Sequence, residues 1–445
     1  MVAARMVAAR DPNSLKTKKG WNSMNTAEKM ETESLAVSPD RRDLSAVSPD
    51  RRDSPAVSPD RRDLPAVSPD RRDLSRLRIL HFVTGGFSGG ATQVAIALVH
   101  AALKSATMTP LLVLRRKRHT PQSRLDDLAR DDVPFELVAG WSHFATIFGL
   151  LRVCRKFKPD ILVAHGFSEH LWGRYAGLLA KVPHLVQVEH NTRERYSTWR
   201  LLQSRWLAKR TDRIVGCSEG VRLALLAQGL PSDRVIAIAN GIRVEPFAEA
   251  QAINFANRSP GIVMVARLSK QKDHVTLLHA LALLTTRGIA PTLHLAGGGK
   301  PRHLAPLVAL AATLGLQKQV KFLGVIRNVP ELLMQNQISV LSTHHEGMPL
   351  ALIEAMAAGC AVIGSDVPGV REIIDDGVDG ILVGAKNAQA LAAALERLLR
   401  DPAYAQKLGS AGREKALREF SRERMNQGYE KLFMEITRQR SNPAD

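Results

Sequence analysis

Short apolar runs of strand length alternate with longer stretches of helical periodicity from Leu77 onward, in two successive series. The first holds LRILHFVTG from Leu77, then Pro110 to Leu114, Phe135 to Val138, Ile161 to Ala164, Leu185 to Val188, Arg213 to Gly216 and Val235 to Ile238. The second begins at GIVMVA, residues 261–266, and continues through TLHLAG, VKFLG, ISVLS and AVIGS. Helical stretches from Asn387 to Arg400, Pro402 to Phe420 and Arg424 to Arg438 close the chain. Strand and helix alternating in this way predict an α/β protein built of open, mostly parallel sheets with helices on both faces.

The pattern divides the chain. Residues 34–73 are four copies of a ten-residue unit, SLAVSPDRRD, LSAVSPDRRD, SPAVSPDRRD and LPAVSPDRRD. Each copy has too few apolar residues to offset the entropy of ordering, so residues 1–75 are read as a disordered tail. Residues 76–245 form the first domain. Asn240-Gly241 reads as a turn, and the polar, aperiodic residues 246–260 read as a linker. Residues 261–423 form the second domain, and residues 424–445 a C-terminal helix crossing back to the first.

The chemistry concentrates in STHHEGMPLALIEAMAAGCAVIGSDVPGVRE, Ser342 to Glu372. An apolar strand, Ile338 to Leu341, runs into a polar loop. Pro349 suits the first turn of a helix, Leu350 to Ala358 favours helix, and Gly359 reads as its stop. Glu346 thus stands just before a helix and Glu354 inside it. A helix start at the carboxyl edge of a parallel sheet offers free N–H groups and a positive dipole end to an anion such as a diphosphate. Either glutamate taken alone reads first as a solvated carboxylate at the helix start or on the helix surface.

Other positions at strand ends join this picture. Gly85, Gly86, Gly89 and Gly90 form a glycine-rich turn that lets backbone approach a ligand closely, without the spacing of a dinucleotide or P-loop motif. His165 and His190 follow inner strands of the first domain. Arg267, and Lys272 five residues on, follow the first strand of the second domain and can reach an anion. Gly297, Gly298 and Gly299 make another close-approach loop.

Composition refines the picture. The net charge is +19, concentrated in the first domain, which points to an anionic partner without naming it. The 3 cysteines form no Cys-x-x-Cys pair, which suits a reducing compartment. No metal-ligand spacing stands out, and no signal peptide or spanning helix is expected.

Taken in order, these motifs resemble those of the family 4 glycosyltransferases, retaining enzymes with the GT-B fold of two facing Rossmann-like domains. The carriers are GG-x-x-GGA after the first strand, His190-Asn191, Ser218-Glu219 with Asn240-Gly241, Arg267-x4-Lys272, and EG-x-P-L-x3-EA-x-A-x-G from Glu346. The resemblance implies that Arg267 and Lys272 hold the donor diphosphate, with the amides of Gly347, Met348 and Leu350 capping it. It places Glu346 at the donor sugar, His190 at the donor sugar or the acceptor, Glu354 on the ribose, Gly89 and Gly90 against the diphosphate, and residues 324–330 around the base. It also implies transfer of a hexose from a nucleotide sugar, a UDP-sugar foremost, to a cell-envelope glycan or lipid-linked acceptor. No cofactor and no metal are expected, since the chain contains no Asp-x-Asp.

Ala239, Asp273 and Cys360 depart from the residues usual in the family, and Thr92 stands where an acidic residue is frequent, which leaves acceptor identity open. Another GT-B enzyme, such as a nucleotide-sugar 2-epimerase, and a non-catalytic protein using its basic surface are the alternatives. Nucleic acid is not an expected partner, because no recognised module accompanies the charge. LRRKRH, RVCRKFKP and the helix YSTWRLLQSRWLAKR combine cations with Trp199 and Trp206, so an anionic membrane is a candidate partner. The corresponding location is cytoplasmic, peripheral at the inner face of the membrane.

Overall fold

The computed structural model describes residues 76–441, apart from Ser88, His119, Phe167 and residues 193–195. The ten-residue repeats, and the tail read as disordered, lie outside the described residues.

Two parallel sheets carry the fold. In the first, from edge to edge, lie Phe135–Val138, Met108–Arg115, Leu77–Thr84, Ile161–His165, His184–Glu189, Arg213–Gly216 and Val235–Ala237. In the second lie Val320–Gly324, Leu293–Ala296, Ser259–Val265, Asn336–Leu341, Ala361–Ser365 and Ile381–Val383. Both follow the doubly wound order 3-2-1-4-5-6, the first with a seventh strand beyond it, so both are Rossmann-like. Strand order reverses between the first and fourth strands of each, and ligands of such sheets bind outside the carboxyl ends at that point. Arg267 and Glu346 follow the two strands that flank this point in the second sheet.

The inner strands are apolar on both faces because helices cover both. On one face of the first sheet, Leu80, Phe82, Leu162 and Ala164 pack under the helices His143–Phe157, Glu169–Leu179 and Thr198–Ala208. On the other, Ile79, Val163, Val186 and Val188 share a buried cluster with Met425, Tyr429, Leu432, Phe433 and Ile436. Those five belong to the helix Arg422–Ser441, so the chain returns from the second sheet to seal the first. Fully burying each such side chain contributes about 1.5–3 kcal/mol.

Two local expectations change. The segment read as linker is structured: Glu245–Gln251 and Phe255–Asn257 are 3₁₀ turns, and the strand Ser259–Val265 starts inside it. Phe247 and Phe255 are buried and supply the apolar anchors that its polar composition concealed. Asn240-Gly241 is not a turn. It leads into a parallel bridge between Ile242 and Ser421, and a side chain at Gly241 would strike the Ser421 carbonyl.

Candidate active site

The loop Ser342–Pro349 leaves the strand Asn336–Leu341 and enters the helix Leu350–Ala357. Pro349 takes the N-cap position, with φ −76° and ψ 106°, rather than the first helical turn. Gly359 has φ +77°, the left-handed conformation of a helix stop. Among the described residues, the backbone N–H groups of Gly347, Met348 and Leu350 have no acceptor. They remain available at the positive end of the helix.

Glu346 is buried, not solvated, and is held from one side. Its Oε1 accepts from Lys272 Nζ at 2.6 Å, Thr343 Oγ1 at 2.8 Å and Gln271 Nε2 at 3.5 Å. Gln271 also donates to the His345 carbonyl at 2.7 Å, tying the loop after the second domain's first strand to the loop after its fourth. The Oε2 atom accepts nothing among the described residues. Arg267 is exposed and has no ion-pair partner among them, so one cation of the expected pair is free and the other is engaged. Gly297 packs its backbone against the Ala266 carbonyl with φ +149°, so this glycine shapes the loop bearing Arg267.

Glu354 is largely enclosed, and no side chain hydrogen-bonds its carboxylate among the described residues. Burial pushes its pKa up to about 7, against the pull of Arg243 and Arg422. A carboxylate enclosed without a donor can accept from hydroxyls of a ligand.

The first domain closes over the loop. A side chain at Gly347 would collide with the His190 carbonyl and approach Cys217, so glycine is required there by the domain seam. Thr192 Oγ1 donates to the Glu346 carbonyl at 3.0 Å, and the Asn240 amide to Met348 Sδ at 3.1 Å. Met348 is buried and its side chain belongs to the seam. Glu372 accepts from the amides of Glu219 and Gly220, at 2.6 and 2.5 Å, capping a first-domain helix from the second domain. Gly89 is the N-cap of the helix Gly90–Lys104, and a Cβ at Gly90 would lie 3.8 Å from Leu350 Cδ1. Two helix N-termini, one from each domain, thus approach one another and favour an anion between them.

His190 is partly buried, its Nε2 3.4 Å from His165 Nδ1. Burial lowers its pKa to about 4, so the ring is neutral near pH 7. Thr343, Gln271 and Thr192 are site neighbours that the sequence reading missed. His81, a polar residue within the apolar run LRILHFV, is buried behind His165, with Nδ1 3.1 Å from His165 Nε2.

Two Rossmann-like sheets thus meet at a crevice with facing helix starts and a buried carboxylate beside them. The chain belongs to the family 4 glycosyltransferases of GT-B fold. The family described as Glycosyltransferase Family 4 matches residues 88–246, and that described as Glycosyl transferases group 1 matches residues 247–415. EpsD of Bacillus subtilis, a candidate glycosyltransferase, is 31% identical over 293 residues, covering 60% of this chain and 76% of EpsD. The UDP-Gal:alpha-D-GlcNAc-diphosphoundecaprenol alpha-1,3-galactosyltransferase of Escherichia coli is 26% identical, covering 58% of this chain and 70% of that enzyme. Among solved structures, HepE of Anabaena in complex with UDP and glucose matches with a TM-score of 0.70 at 21% identity, covering 81% of this chain and 100% of HepE.

Proposed function

We propose that the chain is a retaining hexosyltransferase, independent of metal, that moves a sugar from a UDP-sugar to a cell-envelope glycan or a lipid-linked acceptor. One observation carries the reading: Glu346 is tethered through Oε1 and keeps Oε2 free, beside the unpaired amides of Gly347, Met348 and Leu350. The diphosphate meets those amides together with Arg267 and Lys272, and Glu346 Oε2 accepts from hydroxyls of the sugar. Glu354 takes the ribose hydroxyls, and Gly89 and Gly90 approach the diphosphate from the facing domain. HepE solved with UDP-glucose, and the Escherichia coli relative named for UDP-Gal and a diphosphoundecaprenol acceptor, support the choice of donor and acceptor class.

In the reaction, the bond from the anomeric carbon to the diphosphate oxygen breaks and the acceptor oxygen bonds to the same face. The acceptor proton passes to the leaving diphosphate. The negative charge that gathers there is stabilised by Arg267, Lys272 and the fixed amides. Arg267 and Lys272 supply positive charge where a metal ion would otherwise serve.

An anionic membrane surface is part of the proposal, placing the enzyme peripherally at the inner face of the cytoplasmic membrane. Trp141 and Phe144 are each 85% exposed and Trp199 is 69% exposed, at the starts of two helices on one face of the first sheet that flank the helix Glu169–Leu179. Not every cation noted in the sequence contributes, since Arg115 is buried and, with Lys117, paired to Glu169. Arg116, Arg118, Arg152 and Arg155 remain exposed. Among the described residues no helix is long and apolar enough to cross a membrane.

Thermal shift with UDP-, GDP- and ADP-sugars, with and without a chelator, tests the donor, since a ligand that binds only the folded state raises its stability. Stabilisation by a UDP-sugar that survives chelation, followed by a product of unchanged anomeric configuration, is expected. A response confined to another base, or an inverted product, overturns the reading.

A further inference from the structure

The helix Leu350–Ala357, whose start faces the crevice, ends 8 residues on between two arginines. Near that end the Glu354 carbonyl accepts from the Ala358 amide at 2.9 Å, that of Ala355 from Cys360 at 3.0 Å and that of Met356 from Gly359 at 2.8 Å. The next two carbonyls go to guanidinium groups. Arg413 donates through Nη1 to the Ala357 carbonyl, and Arg258 through Nη1 to the Ala358 carbonyl at 2.7 Å. Arg258 Nη2 donates to the Ala250 carbonyl at 3.0 Å, which ties the helix end to the segment between the domains. Arg413 belongs to the helix Pro402–Glu419, packed so closely on the helix stop that a side chain at Gly409 would strike the Gly359 carbonyl.

Neither cation has a carboxylate partner. Arg258 is buried and Arg413 half-buried, and among the described residues no Asp or Glu is among the charges that act on either. Burial holds both below the ordinary arginine pKa, and Arg258 lowers that of Arg413 further. An arginine remains protonated even so. Withdrawing two cations from water without counter-ions is costly. What they meet is the negative end of a helix dipole, equivalent to about half a charge. Two positive charges against that half leave the far end of the helix net positive.

The consequence falls at the other end, about 12 Å away along the axis. An anion at the helix start is attracted by the near positive end of the dipole and repelled by the far negative end. Arg258 and Arg413 cancel the repulsion. Leu352, Ile353, Ala355, Met356 and Ala357 are buried, so little water screens the path between. The same two contacts fix the helix along its axis, and with it the amides of Gly347, Met348 and Leu350.

We infer that Arg258 and Arg413 are positioning residues for the donor diphosphate, acting through the helix Leu350–Ala357 from its far end without touching the ligand. This rests on the reading of the helix start as the diphosphate site. Each charge acts on one negative charge of the ligand by about five- to tenfold in affinity at an effective dielectric constant of about 20.

Calorimetry on the full-length protein tests this, with UDP titrated directly and uridine, which lacks the phosphates, measured by displacement of UDP. In Arg258→Gln the affinity for UDP is expected to fall about five- to tenfold and that for uridine to stay unchanged. Arg258→Lys keeps the charge and should hold UDP within about twofold of the parent. Arg413→Gln should act in the same direction as Arg258→Gln and carries the test where that variant does not fold. Unchanged UDP affinity in the folded Gln variants, equal losses for UDP and uridine, or a Lys variant no better than Gln would overturn the inference. A parent protein that binds UDP no more tightly than uridine would instead overturn the diphosphate reading itself, and the inference with it.

Discussion

Lys272 Nζ lies 2.6 Å from Glu346 Oε1 where the strand order of the second sheet reverses, and only 13% and 8% of the two side chains are exposed. The partners have unequal jobs in the proposed reaction. Removing the lysine leaves a buried carboxylate unpaired and removes a diphosphate contact. Lys272→Ala is therefore expected to cost roughly 3 kcal/mol of stability and to weaken UDP binding about tenfold or more. Glu346→Gln keeps a carbonyl oxygen for Lys272 and Thr343 but loses the charge beside the sugar. Its UDP affinity should stay within a few-fold, while transfer falls on the order of a hundredfold. Calorimetric titration with UDP and initial rates with a UDP-sugar separate the two. Equal losses of UDP affinity, with the Gln variant fully active, would remove Glu346 from the reaction.

Glu372 is the second tie between the domains. Its carboxylate takes two amides at the start of the helix Glu219–Ala227, where the dipole favours negative charge. Capping contacts of this kind contribute about 0.5–2 kcal/mol. Glu372→Ala is expected to speed amide exchange at residues 219–221 and to enlarge the particle in small-angle scattering, with Glu372→Gln intermediate. Unchanged exchange at those amides in the Ala variant would mean that the clasp does not hold the crevice.

Glu354 predicts a pH dependence with a definite sign. Its pKa stands at about 7 in the folded chain against 4.5 for an ordinary glutamate, so between these values the folded state binds the proton and the unfolded state does not. Stability from this group is fully present below pH 4.5, falls as pH rises toward 7 and is level above it, a change of at most about 3 kcal/mol. Glu354→Gln imitates the protonated form. The melting temperature of the variant, minus that of the parent, should grow from near zero at pH 4.5 to its full value by pH 7. A difference independent of pH would show that Glu354 titrates alike in the folded and unfolded chain.

Much of this was legible in the sequence because the fold is built from periodic apolar runs, and strands such as Phe135–Val138 and Arg213–Gly216 emerge with the expected bounds. Glu346 and Lys272 could be singled out as candidates, since each follows a strand at its carboxyl end. Their mutual contact could not, because it depends on two loops converging from strands far apart in the chain. Gly347 illustrates the limit: the resemblance gives a task to its amide alone, whereas the His190 carbonyl is what excludes a side chain there. The segment read as linker hid Phe247 and Phe255 because two isolated aromatics create no period. His81 was passed over because a single histidine in an apolar strand looks like a packed core residue until its neighbours are known.

The exposed aromatics lead to the last expectation. Trp141 and Phe144 flank His143, whose ring stacks on Trp172 at 4.2 Å, and Tyr175 continues the row to Trp206, over which Arg210 lies at 3.9 Å. The row ties the start of the helix His143–Phe157 through the helix Glu169–Leu179 to the end of the helix Thr198–Ala208, and leaves Trp141 and Phe144 exposed. Fully burying such a ring contributes about 1.5–3 kcal/mol, and each nearby Lys or Arg about 1 kcal/mol on an anionic surface. Trp141→Ser combined with Phe144→Ser should lower partition onto phosphatidylglycerol vesicles by tenfold or more without changing UDP binding. Added salt should weaken the parent protein's binding through the cationic part alone. Sedimentation of the parent protein that is the same with neutral and anionic vesicles, or unaffected by the double substitution, would rule this face out as the membrane contact.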